Sequence, residues 1–264
     1  MIFPVIVPVS LSDCGSTQMA LVLRRYSPLL LIVIVWEAVT RGGLIDELFL
    51  PMFSDVVIAF WEILQEDLLY HVGRSVARGF TALACAIVFG ASIGVLMAWY
   101  KPVRILVKPV IQCFYPMPKS ALIPLAIIWI GLGDASKITL IFIGCLLPVV
   151  VSAFNAARGV DEVLIWSARS MGATEGEVLR EIVVPAALPE ILHGVRVALA
   201  LSFILMVSSE LIIANDGIGF LIGFLGEGGD FKGMFACAIT IASIGFCADR
   251  LYLYVSGRIL SWQE

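Results

Sequence analysis

Apolar residues run almost without interruption over 27–41, 73–99, 110–131, 137–156, 189–213 and 234–256. Crossing the hydrocarbon layer takes a helix of roughly 20 such residues. Continuous runs, as opposed to strict alternation, favour a helical bundle over a barrel. Six spans place both termini on one side of the membrane. Between the first two runs, SDVVIAFWEILQEDL (54–68) is too short and too charged to cross. With Ser54 as its cap and Val57, Phe60, Trp61 and Leu64 on one face, it predicts an interfacial helix along the outer surface. The third run contains YPMPKSALIP, with Pro116, Pro118 and Pro124 around Lys119. Each proline removes a backbone donor, so this span must bend, and the freed carbonyls must find partners in protein or water.

The main polar interruption is SARSMGATEGEVLREIVVP, residues 167–185, within a stretch from Arg158 to Glu190 that holds many of the charges. Asp161 predicts the start of a short helix carrying Leu164, Ala168 and Met171 on one side, and Gly172 predicts its stop. Thr174 and Glu177 form a T-x-x-E capping box, predicting a second helix over about 175–183 with Val178 and Ile182 stacked. Pro185 is expected to end it and Pro189 to open the next span. The whole is an elbow over 158–185, charged on one face and apolar on the other. So tight a connection suits a docking surface.

Composition adds class and orientation. Of 264 residues, 60% are hydrophobic and only 14% charged, and the mean hydropathy is +1.01; the chain reads as an integral membrane protein. Arg24 and Arg25 precede the first span, Lys101, Arg104 and Lys108 follow the second, and Arg158, Arg169 and Arg180 follow the fourth. The opposite connections carry Arg41, Asp46, Glu47, Glu62, Glu66, Asp67, Asp216, Glu227 and Asp230. Both termini are therefore expected in the cytoplasm. The six cysteines, Cys14, Cys85, Cys113, Cys145, Cys237 and Cys247, show no CxxC pair and are read as small packing residues. MIFPVIVPVS has no basic leader region, so residues 1–23 are expected to form a tail that is not a cleaved signal, with Met19 a second possible start. The permease domain is then 24–264.

The spacing of Gly172, nine residues, Ile182-x-Val184-Pro185 is similar to the EAA loop of ABC importer permeases. Trp166-Ser167-Ala168 stands where the EAA triplet falls, so only its final alanine remains. PMPKSALIPLAIIWIGLGDASK (116–137), LPEILHGVRVAL (188–199), SELIIANDGIGFLI (209–222) and HVGRSVARGF (71–80) resemble the nitrate, sulfonate and taurine branch of that family, over about 28–257. The resemblance implies an all-α integral membrane protein with six transmembrane helices in the type I importer fold. It implies a homodimeric channel in the inner membrane, a cytoplasmic ATPase under each subunit and a periplasmic binding protein that delivers the solute. The elbow would be the coupling helix, touching the ATPase through Leu164, Trp166, Ala168, Arg169, Met171, Gly172, Ala173, Thr174, Glu177, Ile182 and Pro185. Trp166 is expected to enter the ATPase groove by burial, not by charge. No G-x-x-x-x-G-K-[ST] is present, so ATP and magnesium belong to the partner and no cofactor is expected here.

Polar groups within the spans are the candidates for the path: Lys119, Ser120, Ser202, Ser208, Ser209 and Glu210. Lys119 could favour a small anion such as a sulfonate or nitrate, or it could snorkel or pair with Glu210. Asp249-Arg250 is read as structural, and His71 and His193 receive no ligand role. Gly217-Ile218-Gly219 predicts a turn outside the fifth span. A nucleotide-independent secondary transporter is the alternative, but the repeated halves common in that class are not visible. A membrane enzyme would need a convergent catalytic set that the scattered carboxylates do not supply.

Overall fold

The computed structural model describes residues 17–263. Part of the expected tail is therefore helical, because α1 runs Thr17–Arg41; Cys14 and the rest of the tail lie outside the described residues. The chain divides into two compact units, Met1–Ala59 and Phe60–Glu264.

In the first unit, Trp36 on α1 donates its indole N–H to the carbonyl of Pro51 at 2.9 Å and meets Phe53 edge to face at 5.5 Å. Phe53 opens α2 (Phe53–Gln65). Ser54 does not cap this helix. It lies inside the first turn, and its hydroxyl donates to Glu37 at 3.0 Å. The buried stripe of α2 also differs from expectation. Val56 and Ala59 are buried, while Val57 and Trp61 are exposed. Phe60 and Leu64 of the expected face do pack against the buried cluster of Leu68, Ile218 and Cys237, so the expectation holds for two of its four positions, with apolar residues on both sides of the stripe.

The second unit begins with α3 (Leu68–Trp99) and α4 (Lys101–Phe114). A 3-10 turn over Lys119–Leu122 leads to α5 (Ile123–Ile130). The expected bent span over 110–131 is thus two helical pieces, the first starting at Lys101, with 97° between Lys101–Phe114 and Lys119–Ile130. Pro116 and Pro118 break the hydrogen-bond ladder at the corner. Next come α6 (Asp134–Arg158), α7 (Glu162–Ser170) and α8 (Glu175–Glu177). The last long elements are α9 (Val184–Ile213), α10 (Ile218–Glu227) and α11 (Phe231–Ile259). The sequence reading expected only a turn where α10 stands. Among the described residues, four helical stretches are long and apolar enough to cross a membrane, and the bent pair could supply a fifth.

The core is built by α3, α6 and α9. Ala82, Leu83 and Ala86 pack with Ile141, Cys145 and Val149 and with Val195, Ala198, Leu199 and Met206. Small residues set the helix separation. A Cβ on Gly94 would lie 2.6 Å from the Cβ of Ala153, so α3 and α6 could not approach as they do with any larger residue there. Cys145 and Cys237 are buried, as packing residues should be, but Cys85, Cys113 and Cys247 are exposed on the helices. Asp249 pairs not with its neighbour Arg250 but with Arg196 on α9, through contacts of 2.7 and 2.9 Å.

Candidate functional site

The elbow joins the C-terminus of α6 to the N-terminus of α9. Asp161 caps α7 by accepting from the amide of Val163 at 2.9 Å. The helix ends in a Schellman motif, in which Ala173 donates to the carbonyl of Ala168 at 3.1 Å and Gly172 to that of Arg169 at 3.0 Å. Gly172 has φ +91°, and a Cβ there would meet nothing within 4 Å. Backbone conformation, not crowding, therefore demands glycine.

The capping box is formed. Glu177 accepts from the amide of Thr174 at 2.7 Å, and Thr174 accepts from the amide of Glu177 at 3.4 Å. Beyond it the expected α-helix is a π-helical turn, Val178–Val183, that passes directly into α9. Pro185 consequently does not end a helix; it sits in the first turn of α9, with Pro189 inside the helix. The wider turn absorbs the missing donor, since Val184 donates five residues back to Leu179. Val178 and Val183, five apart, are the buried pair, whereas Ile182 is only half-buried against the same cluster.

The two faces of α7 differ from those read in the sequence. Ala168 is 3% exposed, but Leu164 (49%), Trp166 (59%) and Met171 (80%) face outward. Arg169 pairs with Glu175 at 2.9 Å and lies 5.9 Å from the ring centroid of Trp99. The elbow is therefore pinned on its inner side by Ala168, Val178 and Val183 and presents an apolar outer surface.

Three of the path candidates meet at one cleft of about 460 Å³, lined by Lys119, Ser120 and Ser208 with Tyr115, Leu201 and Ile204. The Lys119 ammonium donates to the carbonyl of Tyr115 at 2.5 Å and to that of Phe114 at 3.4 Å. The Phe114 carbonyl also accepts from the amide of Met117 at 3.3 Å, so the cation joins the backbone bonds that close the corner where α4 ends. The other candidates lie elsewhere. Ser202 and Ser209 are buried and donate to carbonyls of their own helix, Leu199 at 2.7 Å and Met206 at 2.9 Å. Glu210 is 1% exposed and lies away from the cleft. It does not pair with Lys119.

The partner of Glu210 is Arg78 on α3, at 2.8 Å, and Arg78 is itself 3% exposed. The same guanidinium reaches Asp134 at the start of α6 and Asp216 in the connection after α9. Arg74, one turn away, bridges Asp216 at 2.8 Å and Asp134 at 2.6 Å. Lys137 completes the charge balance 3.9 Å from Asp216. Glu210 also accepts from Ser75 at 2.6 Å and from the amide of Gly219 at 3.0 Å. Ser75 in turn accepts from Ile218 at 2.8 Å, and His71 accepts from Gly217 at 3.0 Å. This network ties α3, α6, α9 and α10 together at the end of the bundle opposite the elbow. Burial pushes the Asp216 carboxyl up, but Arg78 and Arg74 outweigh it and hold the group down at about 2. The sequence reading overlooked Arg74 and Arg78. The signal was their i, i+4 spacing on the side of the chain where cations are scarce.

A family model described as binding-protein-dependent transport system inner membrane component matches residues 86–261. The chain is 34% identical over 240 residues to the taurine transport system permease protein TauC of Escherichia coli (strain K12), covering 89% of this chain and 87% of that one. It is 30% identical over 234 residues to SsuC of Bacillus subtilis (strain 168), a permease named for aliphatic sulfonates transport, covering 88% and 85%. In fold it is similar to the inward-facing MetNI methionine ABC transporter, with a TM-score of 0.60 at 20% identity, over 74% of this chain and 94% of that one. The elbow between two membrane helices, the all-helical core and these matches agree, and the chain belongs to the family of inner membrane components of binding-protein-dependent transport systems.

Proposed function

We propose that this subunit forms the membrane path of an ATP-driven importer for a small sulfonate-bearing solute of the taurine type, with nitrate-like anions as the nearest relatives in charge. The observation that carries the reading is the elbow, a rigid joint between two spans whose outer surface presents Leu164, Trp166 and Met171. That surface is shaped to sit in a groove of a separate ATPase, which binds ATP and magnesium. Nucleotide-driven movement of the ATPase would then act on α6 and α9 together.

A periplasmic binding protein delivers the solute to the end held by the Arg78 network, and two copies of the chain enclose the path. With α1 serving as a sixth span beside the five, both termini face the cytoplasm in this arrangement, supported by Lys101, Arg104 and Arg158 at the elbow end. The solute class is supported by the names of the TauC and SsuC relatives and by the cleft that gathers Lys119, Ser120 and Ser208.

Uptake of labelled taurine into vesicles holding the permease with its ATPase, supplied with the binding protein, tests this reading. Uptake should require internal ATP and the binding protein. Uptake that proceeds without nucleotide would establish the secondary-transporter alternative instead.

A further inference from the structure

We propose that α4 carries a binding site for the headgroups of anionic phospholipids. Lys101, Arg104 and Lys108 fall at i, i+3 and i+7, so they form one stripe along the helix. They line a shallow cleft of about 380 Å³ with Ile105, Pro109 and Gln112. Among the described residues, none of the three cations makes an ion pair, although nearly every other cation of the second unit is engaged with a carboxylate, a carbonyl or a ring.

The rest of α4 fits a position against lipid. No residue of the helix is buried, and Ile105, Leu106 and Val110 are exposed beside the cationic stripe. The helix turns 97° away from the segment that continues across the bundle. It starts one residue after α3, whose Trp99 packs at the elbow, so the stripe stands at the end of the bundle where headgroups begin. A basic stripe flanked by exposed aliphatic side chains suits a lipid, whose phosphate meets the cations while its acyl chains cover Ile105 and Leu106. Cations in the first turn of a helix are disfavoured by its dipole, so helix stability does not account for Lys101 or Arg104.

The test uses the full chain in nanodiscs of phosphatidylcholine with added phosphatidylglycerol, transferred to mild detergent, with bound lipid counted by native mass spectrometry. Wild-type protein should retain phosphatidylglycerol in preference to phosphatidylcholine, and added inorganic phosphate should not displace it. K101Q/R104Q/K108Q should bind it more weakly by about a hundredfold, about fivefold for each cation removed, with an unchanged melting temperature. Equal retention by wild type and triple variant overturns the proposal, as does displacement by inorganic phosphate. If I105C cross-links to a second copy while lipid retention is unaltered by the triple change, the stripe is a protein contact. If the triple variant keeps its lipid but loses taurine uptake, the stripe serves the solute. Either result also overturns the lipid assignment. Because the readout is lipid binding, failure here is distinguishable from failure of the transport reading.

Discussion

The guanidinium of Arg78 on α3 and the carboxylate of Glu210 on α9 meet at 2.8 Å with almost no solvent access to either. Two charges withdrawn from water persist only when paired and hydrogen-bonded, and here Ser75, Gly219, Asp134 and Asp216 complete the set. The pair fixes where α9 ends against α3 and holds the start of α10 in place.

Removing one member strands the other. Arg78→Met is expected to destabilise the protein by about 3–5 kcal/mol. The double change Arg78→Met with Glu210→Leu should recover most of that loss, because no uncompensated charge then remains. Thermal unfolding of the three variants in detergent measures this. A double variant as unstable as the sum of its parts would mean that the two residues act independently.

Acid tests the outer part of the same network. The Asp216 carboxyl ionises at about 2, against an ordinary value of 3.8. Because the folded state lowers this value, its contribution to stability is complete above pH 3.8 and fades as pH falls toward 2. Melting temperature followed across this range should fall less steeply in Asp216→Asn than in the wild type.

The elbow was legible in the sequence because its devices are local. The Asp161 cap, the Gly172 stop and the Thr174–Glu177 box each depend on residues within a few positions of one another. Its faces were not, because the π-turn shifts the buried positions from a 3.6-residue rhythm to Val178 and Val183. The Arg78 network was out of reach for a different reason. Its members lie more than 130 positions apart along the chain in the case of Ser75 and Glu210, and only packing of α3 on α9 brings them together. Lys119 does sit at the proline corner, bonded to the Tyr115 carbonyl, but Glu210, one partner considered for it, is held by Arg78.

Gly172 offers a graded test of the joint. With φ at +91°, Gly172→Val should strain the turn by about 1–2 kcal/mol, and Gly172→Asn by less, since Asn tolerates left-handed backbone. Hydrogen exchange at position 172 and at Ala173 should rise from wild type to the Asn variant to the Val variant, and ATPase recovery with the permease should fall in the same order while membrane insertion is unchanged. Equal exchange in both variants would show that backbone conformation is not what glycine supplies.

Lys119 separates path from scaffold. Lys119→Gln should slow uptake of a sulfonate by about tenfold or more, with the deficit shrinking as ionic strength rises, while Lys119→Arg retains most activity. Uptake kinetics at low and high salt give the answer. If Gln and Arg both destabilise the protein without a salt-dependent uptake defect, Lys119 serves only the carbonyls of Tyr115 and Phe114.

Docking of an ATPase on the outer face of α7, as proposed above, rests on Leu164, Trp166 and Met171. Trp166→Ala and Met171→Ala change side chains that are 59% and 80% exposed, so the fold should melt as the wild type does. Each should weaken binding of the partner ATPase by about thirtyfold, roughly 2 kcal/mol, as buried interface anchors do. The decisive measurement is the affinity of purified ATPase for the two variants and the wild type in nanodiscs. Loss of affinity with intact stability is expected; wild-type affinity in both variants would mean that the ATPase does not dock on this face.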